Sequence, residues 1–220
     1  MARYSYRNQY SWNADLAYIV GLIASDGSLS KDGRHISFTS KDRQLAELYR
    51  ALIRPSAKLS RKGAGHTSEK PYYLIQFSDT ALYDFLVDTG MTPNKSLTMP
   101  GLSIPSKYFA DFLRGEFDGD GSIWGYQDKR WRNSFMHYTC FISASSDFIL
   151  WLRESISLSL PGIGNGTLKP GSRCFQLKYA KQDSQLLFKY MYYRPDLPHL
   201  HRKHARYLEL FAVNPYAIKE

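Results

Sequence analysis

Apolar residues at Leu16, Ile19, Val20 and Ile23 recur at three- and four-residue spacing, which predicts a helix capped by Ser11 or Asn13 and stopped by Asp26-Gly27. Two extended segments follow at 27–31 and 35–40, joined by the turn-forming Lys31-Asp32-Gly33-Arg34. Alternation in His35-Ile36-Ser37-Phe38-Thr39 puts Ile36 and Phe38 on one face and the three polar side chains on the other. A second helix runs from a cap at Ser40 or Asp42 through Leu45, Leu48, Tyr49 and Leu52 to the break at Pro55. Strands are expected at 57–62 and 72–78, and a third helix from Thr80 to Val87.

A proline-punctuated linker at 91–105 separates this half, residues 1–90, from a second half, residues 106–220, in which the same order begins again. The second half is read as a helix at 106–118, strands at 121–126 and 135–143, a helix from Ser146 to about Leu158, strands at 166–170 and 173–179, and helices at 182–192 and 199–212. The expected fold class is α+β, with two αββαββα halves related by a pseudo-twofold axis. Each half forms a four-stranded antiparallel sheet with helices on one face and the other face free.

The repeat is visible in the letters as well as in the periodicity. Val20-Gly21-Leu22-Ile23-Ala24-Ser25-Asp26-Gly27-Ser28 and Arg114-Gly115-Glu116-Phe117-Asp118-Gly119-Asp120-Gly121-Ser122 place their equivalent aspartates 94 residues apart. A duplicated acid at the foot of a duplicated helix predicts one composite site on the axis, with Asp26 and Asp120 contributing one carboxylate each. Small residues at Gly21, Gly115, Ala24, Ser25 and Gly119 allow the two helices to pack side by side. Two close carboxylates repel unless a divalent cation neutralises them, and Mg²⁺ fits such an oxygen site.

Charge narrows the partner. The chain of 220 residues carries a formal charge of +9 and a pI near 9.4, and the excess is shared between the halves, which points to a polyanion along an extended surface. Arg34, His35, Lys58, Arg61, Lys62, Tyr72 and Gln76 in the first half, with Lys129, Arg130, Arg132, Arg173, Gln176 and Lys178 in the second, sit on or beside the strands. These are side chains that grip phosphates and read base edges, so double-stranded DNA is the expected partner. The segment Gly125–Asn133 adds a long, basic loop carrying Trp131. No apolar run reaches membrane-spanning length and no signal peptide is evident, so no membrane partner and an intracellular location at DNA, in a bacterial cytoplasm or an organelle matrix, are expected. Cys140 and Cys174 form no metal-binding pattern. Asp118-Gly119-Asp120-Gly121 lacks the spacing of a calcium loop, and His199, His201 and His204 lack a zinc-hydrolase signature.

Both copies of the repeat resemble the signature of the LAGLIDADG homing endonucleases, and the doubling is similar to their single-chain, monomeric members. Thr39-Ser40-Lys41-Asp42 with Ala144-Ser145-Ser146-Asp147, Pro93-Asn94-Lys95-Ser96 and Leu200-His201-Arg202-Lys203 extend the likeness over nearly the whole chain. The resemblance implies a saddle of two sheets along the major groove and Mg²⁺-dependent cleavage of a long, asymmetric site across the minor groove. It assigns Asp26 and Asp120, with Ser25 and Gly119 beside them, to metal, and Lys95 and Lys203 to the cleavage centre, Arg202 competing with Lys203 for that place. Ser40 and Ser145 become water-organising residues, unless they cap the helices that follow. Two readings compete: a maturase that binds intron RNA on the same scaffold and needs neither aspartate, and a DNA-binding regulator on this fold, which would typically lose the acids.

Overall fold

In the computed structural model, residues 10–63, 72–129 and 135–212 are described. Asn13 accepts a hydrogen bond from the Leu16 N–H at 2.8 Å and starts α1 (Ala14–Asp26), which is buried on every side from Leu16 to Ala24. A helix apolar all round needs a partner along its length. That partner is α4 (Phe109–Gly119), buried from Phe109 to Asp118 and preceded by a short 3₁₀ turn, Ser106–Tyr108, where a single helix from 106 was expected. Side chains are excluded where the two helices cross. A Cβ on Gly21 would stand 2.2 Å from the Phe112 carbonyl oxygen, and one on Gly115 would stand 2.1 Å from that of Tyr18.

Each helix leads into an antiparallel four-stranded sheet. The first, of β1 (Gly27–Leu29), β2 (His35–Ser40), β3 (Leu59–Lys62) and β4 (Tyr72–Ser78), runs in the order β1-β2-β4-β3. The second, of β5 (Ser122–Gln127), β6 (Phe135–Ser143), β7 (Thr167–Gly171) and β8 (Cys174–Ala180), repeats it as β5-β6-β8-β7. The register repeats as well: Phe38 opposes Ile75 in the first sheet and Phe141 opposes Leu177 in the second, all four buried. Helices α2 (Arg43–Ile53), α3 (Thr80–Asp88), α5 (Ser146–Ser159), α6 (Lys181–Met191) and α7 (His201–Ala212) complete the α+β architecture expected from the sequence. One hydrophobic core runs through both halves.

Several boundaries differ from the sequence reading. The first strand ends at Leu29, short of residue 31. Arg173 does not begin a strand; it sits in the turn between β7 and β8 with φ of 58°, because Gly171 pairs directly with Cys174 and only two residues close the hairpin. The stretch 91–105 is a packed joint. Met91, Lys95, Met99 and Leu102 are all buried, and the Ser145 hydroxyl donates to the Met99 carbonyl at 2.7 Å.

Two of the charges buried in the helix pair, Arg114 and Asp118, are compensated. Arg114 is fully buried, pairs with Asp111 at 2.8 Å and donates to the carbonyls of Met191 and Pro198. Asp118 accepts from the Tyr18 hydroxyl at 2.8 Å and from the Leu200 N–H at 2.7 Å, tying α1 and the start of α7 to α4. Buried charges persist where such partners surround them. No helix among the described residues is long and apolar enough to cross a membrane.

The crossing generates a stability prediction. Gly115→Ala forces the helices apart against backbone on both sides and is expected to cost more than about 2 kcal/mol. Gly63→Ala is the control: among the described residues nothing lies within 4 Å of an added Cβ, and stability stays within about 0.5 kcal/mol of the parent. Urea denaturation of both variants measures the difference.

Candidate catalytic centre and nucleic-acid interface

The crossing delivers Asp26 and Asp120 to a common floor at the C-terminal ends of α1 and α4. They line one side of a cleft of about 490 Å³ with Ser25, Ser40, Asp42, Tyr72, Lys95, Gly119 and Arg202. Gly119 makes the approach possible, since a Cβ there would lie 1.8 Å from the Ser25 hydroxyl oxygen. Burial raises the Asp26 carboxyl to about 6, the Asp120 charge pushes it the same way, and Lys203 and Lys95 partly oppose them. Desolvation at the crowded helix ends raises Asp120 too, against the pull of the same two lysines.

The lysines occupy equivalent places. Lys95 donates through Nζ to the Ala24 carbonyl at 2.5 Å and to that of Ser25 at 3.3 Å. Lys203 donates to the carbonyls of Phe117, Asp118 and Gly119 at 2.6, 2.9 and 2.9 Å. Each ammonium thus caps the negative end of one helix, where a cation is stabilised, while standing beside the acids. Burial lowers both lysines, Lys203 to about 8. Of Arg202 and Lys203, Lys203 is the one bonded to the helix-end carbonyls, while Arg202 pairs with Asp42 at 2.7 Å on the cleft wall.

The two serines separate. Ser40 is buried on the cleft wall and its hydroxyl accepts from the Asp42 N–H at 3.0 Å, while Asp42, not Ser40, caps α2. Ser145 caps α5, is held by Met99 and does not line the cleft. The strand register gives the reason. The residue equivalent to Ser40 is Ser143, whose hydroxyl accepts from the Ser145 N–H at 3.1 Å just as Ser40 accepts from Asp42. The sequence pairing of Ser40 with Ser145 is therefore displaced by two residues. Glu116 escapes the sequence reading. It is buried four residues before Asp120, with Oε2 unpaired, and burial together with Asp120 holds its carboxyl well above the usual range. The available signal was its place in the repeated segment, four residues before Asp120.

The helix-free faces carry part of the expected interface. His35, Tyr72 and Gln76 in the first sheet, and Gln176 and Lys178 in the second, project from those faces by strand parity and pairing. Arg34 lies in the β1–β2 turn beside Asp32, Lys58 precedes β3, Lys129 follows β5 and Arg173 tips the β7–β8 hairpin. Arg61 opposes Tyr73, one step out of phase with the free face, and so belongs to the helix side. Arg130 and Arg132 lie outside the described residues, and the side chain of Lys62 is likewise not described.

For a divalent cation the donor set is all oxygen, which suits Mg²⁺. Among the described residues no three His, Cys, Asp or Glu side chains group in a metal-binding arrangement, so two carboxylates need completion by carbonyls, water or a ligand's phosphate. The Ser25 and Gly119 carbonyls each accept one hydrogen bond from a lysine and keep a second lone pair.

A family model described as a LAGLIDADG-like domain matches residues 13–79. No curated protein matches the chain in sequence. Among solved structures, the homing endonuclease I-WcaI bound to its DNA recognition sequence aligns with a TM-score of 0.63 at 13% identity, covering 90% of each chain. The LAGLIDADG meganuclease I-AabMI bound to uncleaved DNA gives 0.60 at 13% identity, covering 93% of this chain and 91% of its own. Full-length WhiA from Thermatoga maritima gives 0.56 at 15% identity over 93% of this chain, which spans only 63% of WhiA. At these identities the likeness is one of fold.

The raised carboxyl of Asp26 sets a pH-dependent stability. Its folded value of about 6 exceeds the ordinary 3.8, so its contribution is full below the lower value and is lost as pH rises through the upper one. In EDTA, Asp26→Asn is expected to stabilise the protein at pH 8 by up to about 2 kcal/mol and to leave it unchanged near pH 3.5. Urea melts across this range measure the effect, and equal gains at both pH values would contradict it.

Proposed function

This chain has the LAGLIDADG fold, and from that premise we propose that it is a site-specific, metal-dependent double-strand DNA endonuclease. The meeting of Asp26 and Asp120, one from each half, at the ends of a tightly crossed helix pair carries the reading. A regulator or an RNA-binding maturase on this scaffold has no need to hold two like charges together, each raised by desolvation. The sheets' polar and basic residues, with the net charge of +9, support duplex DNA as the substrate. Such an enzyme works as a monomer, because the two halves of the chain supply both acids, and it works inside the cell where its target lies.

Asp26 and Asp120 would hold divalent cations such as Mg²⁺, with the Ser25 and Gly119 carbonyls beside them. When bound, the metal neutralises the acids, polarises the scissile phosphates and helps generate hydroxide. The protein supplies the rest. Lys95 and Lys203, fixed on helix-end carbonyls, present positive charge where the phosphate gains negative charge during hydrolysis. Ser40, on the cleft wall, orients water from the first half. One carboxylate and one lysine at each helix end fit one cut per strand.

The test is cleavage of a site selected from randomised duplex DNA. Asp26→Asn and Asp120→Asn should each abolish double-strand cleavage in Mg²⁺ while retaining affinity for the selected site, and EDTA should reproduce the loss in the parent protein. Lys95→Met, which keeps the buried stem, should slow single-turnover cleavage about 10²-fold without shifting the preferred sequence. Full cleavage by either Asn variant would overturn the assignment.

A further inference from the structure

The two helix-free sheet faces are chemically unlike. On the second, Trp124 in β5 opposes Tyr138 in β6, their rings 5.6 Å apart and within 21° of parallel. Tyr126 continues the row, 6.2 Å from Tyr138 at 18°. Lys178 in β8 lies over the Trp124 ring, 5.5 Å from its centroid. Cross-strand register identifies the positions of the first sheet that match Trp124, Tyr138 and Lys178 as Ser30, His35 and Gln76, all polar. Among the described residues no helix packs on the half-exposed aromatic row, since α5, α6 and α7 cover the opposite face, where Gly125 admits Leu210 of α7.

We propose that Trp124, Tyr126 and Tyr138 read thymine methyl groups in the major groove, so that the half-site under the second sheet is marked by thymines while the first is read by hydrogen bonding. The inference rests on the duplex-DNA reading above and assigns its sequence preference. Charge complementarity chooses nucleic acid as the occupant: Lys178 lies within the row, and Lys169 and Gln176 stand opposite each other on the same face. The near-parallel rings stand alongside one another and beside the Lys178 ammonium, so their faces are occupied within the row; the Tyr126 and Tyr138 hydroxyls hydrogen-bond to each other, and the ring edges supply the apolar surface. Edges cannot form the stacking platform that single-stranded bases require, whereas they make the apolar contact suited to a methyl group.

The experiment uses the full chain in EDTA, so that binding is measured without cleavage, on the duplex site obtained by selection. Gln176→Ala identifies the half-site under the second sheet by the positions whose preference relaxes. Replacing thymine by deoxyuridine there is expected to weaken binding about threefold per methyl contacted. The same exchange in the other half-site should change nothing. Tyr126→Ala, at a residue 49% exposed, and Trp124→Ala should remove the deoxyuridine penalty while both proteins retain the parent's circular dichroism. A second half-site without thymine, a penalty that persists in both variants, or variants that lose single-stranded RNA binding but keep duplex affinity would each overturn the proposal. Failure to select any duplex site would overturn the endonuclease reading itself.

Discussion

The backbone-to-backbone contact of α1 and α4 at Gly21 and Gly115 governs the rest of the molecule. With no side chain at Gly21 and Gly115, the carbonyls of Tyr18 and Phe112 come to 2.1 and 2.2 Å from where a Cβ would stand, and the two helix ends reach the floor of the cleft together. The positions of both sheets follow, because β1 begins directly after α1 and β5 follows α4 closely. So does the placement of Asp26 and Asp120. A wider crossing would separate the acids and alter the angle between the sheets together, which makes the fold and the candidate chemistry one constraint.

The same economy is seen in the charged residues beneath the floor. Lys95 and Lys203 satisfy carbonyls that a helix end leaves without partners, and the charge that does so also partly offsets repulsion between the acids. Asp118 has the opposite position on α4 and a different task. It faces into the protein, accepting from Tyr18, Tyr192 and the backbone of Leu200, and thereby fixes the segment from which Lys203 reaches back. Both aspartates of Asp118-Gly119-Asp120 border the cleft, but the carboxylate of Asp118 is tied into the protein by hydrogen bonds.

Much of this is legible in the sequence because duplication and periodicity report on different things. Among the described residues, periodicity locates the seven long helices and the eight strands to within a few residues, since each buries one face or, for α1 and α4, all faces. Duplication locates Asp26 and Asp120. Legibility fails where three-dimensional register decides: the equivalence of Ser40 with Ser143 is set by pairing of β2 with β4 and β6 with β8, which adjacent Ser and Asp letters disguise. Arg61 is misplaced for the same reason, by one residue of strand phase. Glu116 escapes because a carboxyl buried with one oxygen unpaired contradicts the rule by which core positions are read. The stretch at 91–105 looks like a spacer because proline and glycine mark turns, yet Met91, Met99 and Leu102 fill the core.

That joint has a consequence for exchange of halves between related proteins. Lys203 is delivered by a helix inside its own half, but its counterpart Lys95 is delivered by the segment that connects the halves. The first half is therefore not finished where its last helix ends at Asp88; it borrows its cation from the connection, and the connection in turn is anchored on the second half through Met99 and Ser145. A recombination junction drawn at Gly90 would divide a working group from the helix end it caps. One drawn after Pro105 would keep Lys95 with Ala24 but would have to rebuild the Met99 contact, so the modular unit of this scaffold overlaps its neighbour.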